Sequence, residues 1–200
     1  MPAAIGRMPC FALPIRLRSI ATTAGSRMIR TRSLLLFLLC VGLPICDAVE
    51  APNVVPIDDH LVTSGQPTRE SLAQLGAEGF QAVVYLAPSS VEDAIADEAD
   101  ILRGQGIEFV HVPIVFRAPN AAEIDQVAAA LDRLAGKKVL VHCQINMRAS
   151  TVTFLYRAGY RGEDPAKAFE SVTQVWVPEG AWKQMVIEVL AARGVDFDPF

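Results

Sequence analysis

The sequence predicts an α/β fold, with a mostly parallel central sheet and helices on both of its faces. Three observations predict it. Short strand-like apolar runs alternate with segments of helical spacing. The helical segments carry capping residues where they start and glycines where they stop. The 152 residues after position 48 suit one domain with a sizeable core.

The first 48 residues read differently. No acidic residue precedes Asp47, whereas six arginines do: Arg7, Arg16, Arg18, Arg27, Arg30 and Arg32. "SLLLFLLCVGLPI", Ser33 to Ile45, follows as a nearly unbroken apolar run. A basic lead, a short apolar run and a small residue such as Ala48 form the layout of a secretory signal. The run is shorter than the roughly 20 residues that span a bilayer. Met28 is an alternative start, since "MIRTRS" is itself a basic lead-in. The expectation is a signal region over residues 1–48, a single domain over 49–200, and a periplasmic or secreted protein. An uncleaved membrane anchor or an organellar transit peptide are the other readings; contact with a membrane is expected only through such a segment.

The elements of the domain follow in order. "HLVTSGQPT" reads as a strand broken at Gly65–Pro67, and Thr68 caps a helix expected to run to about Glu78. "QAVVYLA" is a buried strand. "VEDAIADEADILRGQG" places Val91, Ile95 and Leu102 at helical spacing. "IEFVHVPI" is the next strand. Asn120 with Glu123 makes a capping box, and Ile124, Val127, Leu131 and Leu134 share one face up to Gly136. "KVLVHC" is a strand as well. Three helices follow: one from near Arg148, one with Asp164 as cap and Pro165 at its first position, and one carrying Trp182, Met185, Val186, Val189 and Leu190. Trp176 and Trp182 are read as core.

Once residues 1–48 are set aside, 12 basic and 21 acidic residues remain, a net charge of −9. An acidic domain without a basic stripe argues against nucleic acid as a partner. Cys143 becomes the only cysteine, so no internal disulfide can form. His60, His111 and His142 show no metal-ligand spacing, and no metal or other cofactor is expected.

"VLVHCQINMRAS", Val139 to Ser150, carries the chemistry. Ligands of open α/β sheets bind beyond the carboxyl ends of the strands, and Cys143 ends one there. A thiol attacks only as thiolate, which a helix N-terminus and a nearby arginine both favour. The backbone N–H groups from Gln144 to Ala149, through Ile145, Asn146 and Met147, can cradle a tetrahedral oxyanion. The fork of Arg148 can hold two of its oxygens. A covalent phosphoryl-transfer site needs these parts in this order. The alternative is a small core cysteine at the end of a buried strand.

"VHCQINMRASTVTFLYRAGYRGEDPAKAFESV" resembles the signature of the cysteine-dependent protein tyrosine and dual-specificity phosphatases. "LVTSGQPTRESLAQLGAEGFQAVVYLAP" is similar to bacterial phosphatase-like domains related to the beta-lactamase-hydrolase-like proteins. The resemblance spans about residues 56 to 190. It implies a phosphatase-like fold and hydrolysis of a phosphoester through a cysteinyl-phosphate. It also implies Cys143 as nucleophile, Arg148 as clamp, residues 144–149 as cradle, and His142 and Ser150 as supporting groups. The partner implied is a phosphorylated substrate or a small anion.

The chain departs from that signature in four ways. Four residues, not five, separate Cys143 from Arg148. The loop has no glycine, so Asn146 must take any left-handed position. Ala149, not a hydroxyl residue, follows the arginine, with Ser150 next. Where the family's acidic aspartate is expected, "HVPIVFRAPN" offers Val115 and Phe116. Glu123, Asp125, Asp58 and Asp59 are the substitutes the sequence offers. The shorter loop also resembles that of rhodanese-type sulfurtransferases, so sulfur transfer and anion binding without catalysis stand as alternatives.

Overall fold

The computed structural model describes residues 49–200. The calls on residues 1–48, namely the signal region, the start at Met28 and the cysteines there, lie outside the described residues.

Five strands form one sheet in the order β1-β2-β5-β3-β4. They are β1 (Val55–Pro56), β2 (Leu61–Ser64), β3 (Ala82–Tyr85), β4 (Glu108–His111) and β5 (Val139–His142). All pairs are parallel except β1 with β2. The sequence reading did not anticipate β1. It is two residues long and includes Pro56, which is tolerated because it lies on an edge.

Along the central strands the side chains alternate between two cores. Val83 and Leu140 pack with Leu72 of α1 (Arg69–Gln74), with Leu75 just after it and with Leu102 of α2 (Glu98–Arg103). Val84, Val139 and Val141 pack with residues of α3 (Ala121–Arg133), α4 (Met147–Leu155), α5 (Pro165–Thr173) and α6 (Gly180–Ala192). Every residue of β3 and of β5 is buried, as strands covered on both faces require. The capping box of Asn120 and Glu123 is formed, and Asp164 caps α5 with Pro165 at its first position.

Two helices are shorter than the sequence implies. α1 ends at Gln74 rather than near Glu78. The Gln105 side chain enters its last turn, accepting from Gly76 N at 2.9 Å and donating to the Leu72 carbonyl at 2.8 Å. That amide replaces the bond the two backbone groups would have made with each other. Of the helix expected from Val91, only Glu98–Arg103 is helical. Residues 88–97 instead form successive turns, with Val91 N donating to the Pro88 carbonyl, Ala94 N to Val91 and Glu98 N to Ile95. Polar ties hold this segment where it is: Asp93 to Gln144, and Asp97 to Arg69. At its far end α4 runs on into a π-helical turn, Tyr156–Tyr160.

Candidate active site

The β5 ladder continues one residue beyond the strand. Leu86 N donates to the His142 carbonyl at 2.9 Å, and Cys143 N donates to the Ser64 carbonyl at 3.2 Å. The chain then turns through Gln144, Ile145 and Asn146 into α4, whose first residue is Met147. Asn146 lies in the left-handed region at φ 71°, the conformation expected of it. Arg148 therefore sits in the first turn of α4, at the helix end where backbone N–H groups are unpaired and the dipole is positive.

A cavity of about 190 Å³ opens over this turn, lined by Phe116, Cys143, Gln144, Ile145, Met147 and Arg148. Cys143 is buried, yet it forms part of the cavity wall. Arg148 is buried too and is the only charged residue in the lining. Its Nη2 donates to Gln144 Oε1 at 3.4 Å, and its Nε has no hydrogen-bond partner. The guanidinium lies 5.3 Å from the centre of the Phe116 ring. Gln144 Nε2 in turn donates to Asp93 Oδ1 at 3.0 Å, which links the cavity to the turns after β3.

Gly65 explains how the loop packs so close to the end of β2. A Cβ there would lie 2.7 Å from the Gln144 carbonyl oxygen and 2.8 Å from Pro52. Gly65 N donates to the Pro52 carbonyl at 2.7 Å, and Gln66 N to the Gln144 carbonyl at 3.0 Å.

Below the loop, His142 is paired. Its Nε2 stands 2.7 Å from Glu98 Oε1, and Gln66 Nε2 donates to Glu98 Oε2 at 2.9 Å. His142 Nδ1 has no partner, and the ring stacks on Tyr85 at 4.7 Å. Burial pushes the Tyr85 phenol up to about 12, with the charges of Glu98 and Asp93 adding to the shift. Sequence reasoning missed both Glu98 and Gln66. Glu98 lay within an expected helix, and its one signal was being a carboxylate among the apolar positions.

Other sequence candidates stand elsewhere. Ser150 Oγ donates to the Met147 carbonyl within α4, and Ala149 packs in the core rather than in the cavity lining. Asp58 caps the entry to β2 through His60 N and Leu61 N. Glu123 is held in the capping box, and Asp125 binds the Tyr160 hydroxyl and Arg193. None of Asp58, Asp59, Glu123 and Asp125 lines the cavity. The two tryptophans bond to the backbone of two lining residues: Trp176 Nε1 donates to the Met147 carbonyl at 3.2 Å and Trp182 Nε1 to the Phe116 carbonyl at 2.8 Å.

Known proteins share this fold. A DUF442 protein assigned as a phosphatase, from Shewanella putrefaciens CN-32, has a crystal structure that superposes with a TM-score of 0.66. It is 29% identical, over 72% of this chain and 92% of that one. Tk-PTP in its active form superposes with a TM-score of 0.57 at 26% identity, over 71% and 96% of the two chains. The beta-lactamase hydrolase-like protein of Xylella fastidiosa (strain Temecula1) is 27% identical over 100 residues, which are 48% of this chain. The match spans only 23% of that longer relative. The family model described as a DSP-PTPase phosphatase fused to NAD+ kinase matches residues 52–186. That range takes in the whole sheet, the loop from Cys143 to Arg148 and the helix after it, and the chain belongs to this family of cysteine-based, dual-specificity-type phosphatases.

Proposed function

We propose that this protein is an exported cysteine-dependent phosphatase that cleaves a phosphomonoester through a cysteinyl-phosphate. One observation carries the reading. Cys143 and Arg148 bracket a left-handed turn at the start of α4 and line one cavity. In that geometry the Cys143 thiolate attacks phosphorus as the ester P–O bond breaks, and the alcohol leaves as its oxyanion and takes a proton from solvent. Arg148 and the N–H groups of the loop hold the non-bridging oxygens as charge builds on them. Water then attacks phosphorus, the new O–P bond forms as S–P breaks, and phosphate leaves with the thiolate restored.

The lining also speaks to the substrate. Phe116, Ile145 and Met147 are apolar, and Arg148 is the single cation. Ile145 is 48% exposed at the mouth, and Val115, beside Phe116, is 54% exposed. One phosphate on an apolar alcohol matches such a wall better than a polyphosphate does. Phe116 and Val115 also leave the leaving group without a carboxylate, which supports slow turnover or anion binding alone as the second reading.

Two experiments test this. Residues 49–200 are assayed side by side with an aryl phosphate and with thiosulfate plus cyanide. Phosphate release supports the reading; thiocyanate formation makes the protein a sulfurtransferase, and neither product makes it an anion binder. Export is tested by N-terminal sequencing of the protein from its native host. A chain that begins near Val49 supports it, whereas one that begins at Met1 or Met28 contradicts it.

A further inference from the structure

Asn53 and Asn146 are the two non-glycine residues at positive φ among the described residues, at 49° and 71°. They are also tied to each other. Asn53 Nδ2 donates to the Ile145 carbonyl at 2.9 Å. Asn146 Nδ2 donates to the Asn53 carbonyl at 2.6 Å and to Thr63 Oγ1 at 3.0 Å. Each side chain thus holds the backbone of the other's segment.

The left-handed region is unfavourable for any residue with a Cβ, and asparagine is among the residues that tolerate it best. The loop has no glycine to take that turn freely, so the turn must be held by something outside it. The segment carrying Asn53 is well placed to do so, because it is anchored independently. The Glu50 carbonyl accepts from Thr68 N at 3.0 Å, Glu50 N donates to Ser71 Oγ at 3.0 Å, and the Pro52 carbonyl accepts from Gly65 N. Asn53 itself is not part of the cavity lining.

We propose that Asn53 is a positioning residue for the anion loop. Its side chain fixes the Ile145 carbonyl, and its carbonyl fixes the Asn146 side chain. Together they set the peptide between Ile145 and Asn146, so that the flanking N–H groups converge on one anion. The proposal rests on the reading of this loop as an oxyanion cradle.

The probe is inorganic phosphate, with its dissociation constant measured by calorimetry and the melting temperature recorded for each variant. Asn53→Gly keeps a left-handed backbone accessible and removes only the side chain. It should weaken phosphate binding about five- to tenfold, the loss expected for one hydrogen bond that holds the binding geometry. Asn53→Asp turns the donor into an acceptor and should lose at least as much. Asn146→Gly lets the turn form unaided, so adding Asn53→Gly to it should change affinity by less than about twofold. Unchanged phosphate affinity in Asn53→Gly or in Asn53→Asp, even with a lower melting temperature, overturns the proposal alone. An undiminished loss in the Asn146→Gly background overturns it as well. No phosphate binding by the unsubstituted protein overturns the cradle reading, and the proposal with it.

Discussion

Glu98 Oε1 lies 2.7 Å from His142 Nε2, with Glu98 only 3% exposed and His142 fully buried directly before Cys143. A carboxylate this deep persists because both of its oxygens are occupied, by His142 and by Gln66. Glu98→Gln keeps the shape and weakens the charge-assisted bond, and should cost about 1.5–3 kcal/mol in a urea melt. Glu98→Ala strands both partners and should cost more, about 3–5 kcal/mol. Losses near zero in both would mean that the pair contributes nothing.

Phe116 lines the cavity, and no carboxylate does. Turnover should therefore favour leaving groups that need no proton. An activated aryl phosphate should exceed an alkyl phosphate by more than the about 10²–10⁴-fold that general acid catalysis typically supplies. Equal rates with chemistry limiting would reveal a proton donor in reach of the cavity.

Gly65 lets the loop backbone approach the end of β2, and a Cβ there would meet the Gln144 carbonyl at 2.7 Å. Gly65→Ala should push the loop outward and weaken phosphate binding about tenfold or more, since misplaced donors lose hydrogen-bond geometry steeply. Calorimetric titration with phosphate checks it; wild-type affinity would show that the loop yields without cost.

Much of this arrangement was legible in the sequence, and particular residues show why. "KVLVHC" read as a strand, and Asn120, Asp164 and Gly136 marked helix ends because capping is local chemistry. The left-handed turn followed from a loop with no glycine and one asparagine. What escaped depended on distant partners. Gln105 ends α1 from 29 residues beyond Gly76, and Glu98 meets His142 across 44 residues. The helix expected from Val91 lost its first turns to contacts with Gln144 and Arg69, which no local periodicity records. Asn53 gave no signal, because its hydrogen bond spans 92 residues.

The chain's three tyrosines, Tyr85, Tyr156 and Tyr160, are each pushed up to about 12 by burial first. Hydrogen bonds to Asp132 and Asp125 add to the effect at Tyr156 and Tyr160. In the unfolded chain they ionise at about 10, so the folded state holds their protons longer. Their contribution to stability is complete below about pH 10 and is lost as pH rises towards 12. Absorbance at the tyrosinate band should rise together with loss of helical circular dichroism; free titration near pH 10 in the folded protein would contradict this.

Alkylation of Cys143 tests the central claim most directly. With residues 49–200 at pH 6, iodoacetamide should label Cys143 far faster than it labels an ordinary free thiol. Phosphate, sulfate or vanadate should protect it by filling the cradle. Arg148→Ala should abolish the protection, and Arg148→Lys should restore only part, because an ammonium lacks the planar fork. Labelling as slow as that of a buried thiol, and indifferent to every anion, would make Cys143 a core residue and contradict the account.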